Sequence, residues 1–263
     1  MRTSFYGALP CAIVALLADA QLVLTADQRA LSVEAAGTSE AGFPPNPFAP
    51  FFRDLSLDVP AGTGRGRARA VQQSTVTTSE LHATGSSSGA AEAAPDNCVL
   101  SQATSDFRIT FRVATPVSYT MDGAVDGAQF RLTESFAGVR HLAESEVGTS
   151  LPFSFAGILK PGRDYLLLAQ SSQLSNACEG NSFSLEGSYS FNGSFTALAS
   201  CAGDLNFDRV VDDADFQIFL AAYNTLLCPA SPEPCDADLD ADGVVVDRDF
   251  EIFLASYNRL LCP

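Results

Sequence analysis

At 263 residues the chain is long enough to bury a sizeable core and to hold one or two domains. Its formal charge of −16 argues against a nucleic-acid partner, because phosphate binding needs basic patches. The charge is concentrated: residues 201–263 carry thirteen acidic and three basic side chains, against eighteen and twelve in the first 200. Acidity this local suggests a bound cation.

In chain order, the first element is a secretory signal over 1–20. Arg2 supplies a short positive region, and ALPCAIVALL an apolar run too short to span a bilayer. Ala18-Asp19-Ala20 places small residues for cleavage before Gln21, and Cys11 falls inside this leader. No second apolar run reaches membrane-spanning length, so the expectation is an exported protein, secreted or at the cell surface, with no membrane span.

Residues 21–199 read as a β-sandwich or jelly roll. Phe107, Ile109, Phe111 and Val113 alternate with Arg108, Thr110 and Arg112. The same period of two runs through Leu31/Val33, Leu55/Leu57/Val59, Val117/Tyr119/Met121, Phe130/Leu132, Leu151/Phe153/Phe155 and Phe183/Leu185/Tyr189/Phe191. Such alternation marks half-buried antiparallel strands, about eight or nine of them. Asp122-Gly123, Asp126-Gly127, Pro161-Gly162 and Asn192-Gly193 read as turns between them. GRGRARA (64–70) reads as a loop running into a strand with arginines on its wet face. FPPNPFAPFF (43–52) reads as an ordered loop over a sheet edge, and SSSGAAEAAPDN (86–97) as a mobile loop.

Beyond Cys11 six cysteines remain, and an even number in an exported chain points to disulfides. Cys98 and Cys178 are the only two in the β region and are expected to pair. With two histidines and no CxxC, a zinc site is not expected. Glu134, Glu144 and Glu146 could be offered as hydrolytic carboxylates and His82 and His141 as bases, but none has a catalytic sequence context. They read as solubilising surface groups.

Residues 200–263 hold a repeat. Aligning 201–229 with 235–263 gives nineteen identities in twenty-nine positions, each copy running from Cys through an acidic loop to FxIFLAxYNxLLCP. Phe216, Phe219, Leu220, Tyr223 and Leu227 form one helical stripe, and Phe250, Phe253, Leu254, Tyr257 and Leu261 repeat it. The loops have EF-hand ligand spacing. Asp204, Asn206, Asp208, Val210 (by its carbonyl), Asp212 and Asp215 stand at positions 1, 3, 5, 7, 9 and 12. Asp238, Asp240, Asp242, Val244 and Asp249 match them, with Val246 at position 9. Alternate oxygens in a tight loop converge on one point, as a Ca2+ ion with six to eight hard ligands requires. Two calcium sites are expected, and Val211 and Val245 at position 8 should point inward and let the loops pair.

This duplicated DxNxDxxVxxxDF loop-plus-helix, with no leading helix, resembles a type I dockerin domain. The resemblance implies docking through calcium to a cohesin-like or other extracellular partner, often to recruit polysaccharide-degrading enzymes. Asp213-Ala214 and Asp247-Arg248 replace the Ser/Thr pair the family commonly uses for recognition, and Ala221-Ala222 and Ala255-Ser256 replace its basic pair. Arg209 stands at position 6, where glycine is usual and where loop 2 has Gly243, so site 1 is expected to be strained. A helix of about fifteen residues is roughly 22 Å long, too far for Cys201 to reach Cys228. Antiparallel packing of the repeats instead predicts Cys201–Cys262 and Cys228–Cys235. The expected protein is a noncatalytic calcium-dependent docking tail on a β-sandwich binding or structural module; the alternative is a polysaccharide-active or carbohydrate-binding protein recruited by that tail.

Overall fold

The computed structural model describes residues 22–135, 139–145, 151–198, 202–224, 236–240 and 243–257. The expected signal segment over 1–20, Glu146, Asp242, Leu227, Leu261 and the four cysteines Cys201, Cys228, Cys235 and Cys262 lie outside them.

Most of the chain is antiparallel β-sheet, followed by two short helices. The strands are β1 (Leu22–Asp27), β2 (Ala30–Ala35), β3 (Thr38–Gly42), β4 (Phe51–Ala61), β5 (Gly64–Val76), β6 (Glu80–Glu92), β7 (Cys98–Val113), β8 (Val117–Asp126), β9 (Ala128–Ser135), β10 (Val139–Ser145), β11 (Leu151–Leu159), β12 (Asp164–Cys178) and β13 (Ser182–Ala197). One sheet runs β10-β9-β12-β7-β2-β3, with β1 also on β7; the other runs β11-β8-β13-β6-β5-β4. From β6 onward the pairing is nested: β6 with β13, β7 with β12, β8 with β11, β9 with β10. The partners alternate between sheets, so one long folded-back ribbon is wrapped around itself.

The period-two residues fill the space between the sheets. Phe107, Ile109, Phe111, Met121, Phe130, Leu132, Leu167 and Phe191 are buried in one cluster. Phe107 and Phe191 meet edge-on with ring centroids 5.1 Å apart, a favoured arrangement for aromatic quadrupoles. Next to this cluster runs a polar seam, and two smaller apolar clusters, one around Leu31, Val33, Phe51 and Leu55 and one around Val99 and Ala177, complete the interior. The Ser105 Oγ and the Gln72 amide each lie 3.1 Å from the Tyr189 hydroxyl. Ser87 and Ser171 share a 2.6 Å hydrogen bond, and Ser175 donates to the Gly89 carbonyl at 2.7 Å. Burial pushes the Tyr189 hydroxyl far above its ordinary pKa, so it stays protonated. The sheets approach too closely here for large side chains. A Cβ on Gly85 would lie 2.5 Å from Ser105 Oγ of the facing sheet, and one on Gly187 2.4 Å from the Gln173 amide.

Several sequence expectations are corrected by this. Residues 86–92 are strand, and only the short stretch from 93 to 97 connects β6 to β7. GRGRARA lies wholly within β5: its arginines face solvent while Gly66, Ala68 and Ala70 face inward. Asp122-Gly123 and Asn192-Gly193 are not turns but sit mid-strand, with Asn192 opposite both His82 and Asp122. The Asp126-Gly127 and Pro161-Gly162 junctions are turns, with positive φ at both glycines. Phe51 and Phe52 begin β4 and so leave the loop. Phe183 and Leu185 lie in β13 opposite Ala91 and Gly89 of β6, ahead of the point at Ser188 where β8 joins the other side, and are exposed.

Between β1 and β2 the edge along β7 is interrupted, and Arg29 turns inward. Its guanidinium is fully buried, bonded to Asp27 at 2.6 and 2.9 Å, to Ser74 Oγ at 3.0 Å and to the Ala49 carbonyl at 2.8 Å. Asp27 also accepts from the Phe48 N–H at 2.6 Å, so this pair ties the proline-rich segment to both sheets.

Candidate metal centres

The tail begins after β13 and contains α1 (Asp213–Tyr223) and α2 (Asp247–Tyr257). Tyr223, at the end of α1, donates its hydroxyl to Asp247 at the start of α2 at 2.5 Å, and Tyr257 does the same to Asp213 at 2.6 Å. These reciprocal bonds make the helices antiparallel. Phe219 and Phe253 stack between them with centroids 5.2 Å apart, beside Phe216 and Phe250. The expected stripes narrow: Leu220 and Leu254 are exposed, as is Ile218. Among the described residues each helix spans eleven residues.

Each helix is preceded by a loop folded around its own carboxylates. Asp215, fully buried, accepts from Leu205 N–H at 2.7 Å, Asn206 N–H at 3.0 Å and Asp212 N–H at 3.0 Å. Asp249 accepts from Leu239, Asp240 and Val246 N–H groups at 2.6, 3.2 and 3.0 Å. Asp204 receives the Arg209 N–H at 2.9 Å, and Asp238 the Gly243 N–H at 2.8 Å. In loop 1, Asn206 Oδ1 and Asp208 Oδ1 accept from the Asp208 and Val210 N–H groups at 2.8 and 2.9 Å. Arg209 reaches its position with φ 74°, the left-handed region, and Phe207 with φ 65°; loop 2 uses Gly243 at φ 93°. Val210 and Val244 each form a one-residue β-bridge, and Val211 and Val245 beside them are buried.

The result is two carboxylate groups able to hold a metal ion: Asp204, Asp208 and Asp215, and Asp238, Asp240 and Asp249, with one oxygen from each within 4.8 Å of the others in its group. All donors are hard oxygens, and the partners named above are backbone N–H groups, which leave carboxylate lone pairs for a cation. Burial, against the opposing Arg209 N–H bond and with the nearby Asp215 and Asp208 charges, raises Asp204 above the ordinary 3.8. Asp212 is placed differently from the ligand reading. It caps α1, accepting from Ala214 N–H at 2.8 Å, and its own N–H is held by Asp215.

The cysteine pair of the β region is formed. Cys98 and Cys178 face each other across β7 and β12, with Cα atoms 4.1 Å apart. The carboxylates suggested for hydrolysis are engaged elsewhere: Glu134 pairs with Arg163, and Glu144 with Arg131 at 2.7 Å and His141 at 2.9 Å. His82 meets the Asn192 amide oxygen at 2.5 Å on an exposed face. Sequence reasoning missed the Asp27–Arg29 pair; its only signal was two charges flanking a break in alternation. Among the described residues no helix is long and apolar enough to cross a membrane.

No protein-family model matches the chain, and no curated protein does. Solved structures give faint likenesses. The GH31 alpha-xylosidase from Xanthomonas citri is 8% identical over 68% of this chain and 33% of that one, at a TM-score of 0.19. The structure of the infectious bursal disease virus Gx strain is 12% identical over 69% of this chain and 57% of that one, at 0.20. The chain thus spans a third of the first and somewhat over half of the second, and at these scores neither bears on its function.

Proposed function

We propose that the chain is an exported, noncatalytic calcium-binding protein. Its tail, from about residue 200, is a dockerin-like module that binds two Ca2+ ions and docks to an extracellular partner. The nested ribbon of residues 21–199 is a jelly-roll sandwich acting as the displayed binding or structural module. One observation carries the reading: a three-carboxylate group is built twice around a buried aspartate at position 12, from loop positions 1, 5 and 12 in the first repeat and 1, 3 and 12 in the second. Asp204, Asn206, Asp208, the Val210 carbonyl and Asp215 would hold one ion; Asp238, Asp240, Asp242, the Val244 carbonyl and Asp249 would hold the other. A bound Ca2+ would neutralise each cluster and lock its loop. Asp212 would contribute through the cap that orients Asp215. Antiparallel repeats also support the Cys201–Cys262 and Cys228–Cys235 pairing, which peptide mapping under non-reducing conditions tests.

Asp213 and Asp247, at the loop position that the dockerin family commonly uses for recognition, bond across the repeat to Tyr257 and Tyr223. A partner would therefore meet a surface unlike the usual Ser/Thr pair. Affinity capture from the secreted and surface fraction, run with calcium and with chelator, tests the docking role. A chelator-sensitive partner is expected, and none would reduce the tail to a stability clip. The polysaccharide alternative gains no particular support, since the exposed rings Phe43, Phe52 and Phe183 lie on different elements. Binding of residues 21–199 to a polysaccharide panel would revive it.

A further inference from the structure

The turn joining β11 to β12 touches the tail through Lys160. Lys160 Nζ lies 3.3 Å from Asp236 Oδ2 and 4.8 Å from the centroid of the Phe207 ring. Asp236 stands two residues before Asp238, and Phe207 lies between Asn206 and Asp208. One ammonium group therefore contacts the margin of both acidic loops. Its backbone is held from the other side: the Tyr165 hydroxyl accepts from Lys160 N–H at 2.7 Å and donates to the Lys160 carbonyl at 2.9 Å. Tyr165 is buried, stacks on Phe111 at 5.7 Å, and follows Leu159, which is also buried. Burial, opposed by the Lys160 N–H bond, pushes the Tyr165 hydroxyl up to about 12, so the donor is present across the physiological range. The lysine is fixed by the sheets and spends its charge on the tail.

We propose that this turn is an intramolecular seat for the tail, so that cation loading of the loops and attachment of the tail to the sheets form one coupled equilibrium. Phe207 and Asp236 are where Lys160 can meet them only while both loops are folded. The φ of 65° at Phe207 aims its ring out of a loop whose neighbouring side chains converge inward. Without a cation, three converging carboxylates per loop repel, the loops open, and both contacts to the seat are lost. By linkage, the seat in turn favours the loaded loops. Calcium would then fix how the tail is presented as well as fold it. This inference rests on the calcium reading given above.

The test uses the full chain with Ca2+ as the probe, measuring affinity by calorimetry and radius of gyration by small-angle scattering. Wild type is expected to expand in chelator. Lys160→Ala should stay expanded in Ca2+ and bind it about three- to tenfold more weakly, the scale of one partly exposed ion pair plus one cation–π contact. Lys160→Arg, which keeps the charge and the ring contact, should restore both. Wild-type affinity and compactness in Lys160→Ala would overturn the seat while leaving the calcium reading intact; no Ca2+ binding by wild type would overturn both. Should Lys160→Ala fail to fold, Lys160→Gln makes the same comparison.

Discussion

Asp215 gathers three backbone N–H groups onto one fully buried carboxylate, and Asp249 does so in the second repeat. Replacing Asp215 with Ala orphans those donors and removes a proposed metal ligand, and each buried unmet donor costs about 1–3 kcal/mol. Asp215→Ala is expected to lose one of two calcium events in calorimetry and to lower the melting temperature of the tail; Asp212→Ala, which removes a helix cap, should cost only about 1 kcal/mol. Arg29→Met strands Asp27 in the interior and is expected to cost about 3 kcal/mol or more in urea unfolding. Although burial opposes ionisation of Asp27, the Arg29 and Phe48 hydrogen bonds hold it below the ordinary 3.8. With a folded pKa below the unfolded one, its contribution is complete above about 3.8 and fades as pH falls through the folded value. Wild-type stability should therefore drop more steeply than that of Asp27→Asn below about pH 4, measured by urea midpoints at each pH.

At the scale of elements, loop 1 carries a conformational cost that loop 2 avoids, since Arg209 occupies a left-handed position that Gly243 occupies freely. Arg209→Gly is expected to stabilise the tail by roughly 1 kcal/mol and tighten loop 1 by up to about fivefold. The acidic loops were legible in the sequence because their ligand geometry is local, fixed by spacing within twelve residues. The second half of β6 was not, because its inward positions are Ser87, Gly89 and Ala91 and offer no apolar alternation. Small residues are required there by the close approach of the sheets, a fact about a distant partner such as Ser171. Crowding from neighbouring strands of their own sheet, equally non-local, hid Gly123 and Gly193 as strand residues, since a Cβ on Gly123 would lie 2.3 Å from the Ser190 carbonyl. Gly85→Ala is expected to destabilise by about 1–3 kcal/mol, read as a shifted urea midpoint at unchanged slope.

For the whole molecule, alternation along the strands gave the two-sheet character and hydroxyl-rich stretches concealed how many strands there are. The two-sheet body is held by the apolar cluster, the polar seam and the Cys98–Cys178 bridge, while the helices depend on loops whose carboxylates repel until neutralised. Calcium binds only the folded loops in this account, so each ion should stabilise the tail by about 2.7 kcal/mol at a hundred times its dissociation constant. The most direct measurement is calorimetric titration of the full chain with Ca2+, beside the Asp215→Ala, Asp249→Ala double variant. Two ions bound per wild-type chain and none by the double variant is the predicted result; wild type without saturable heat, or a double variant that titrates like wild type, would contradict it.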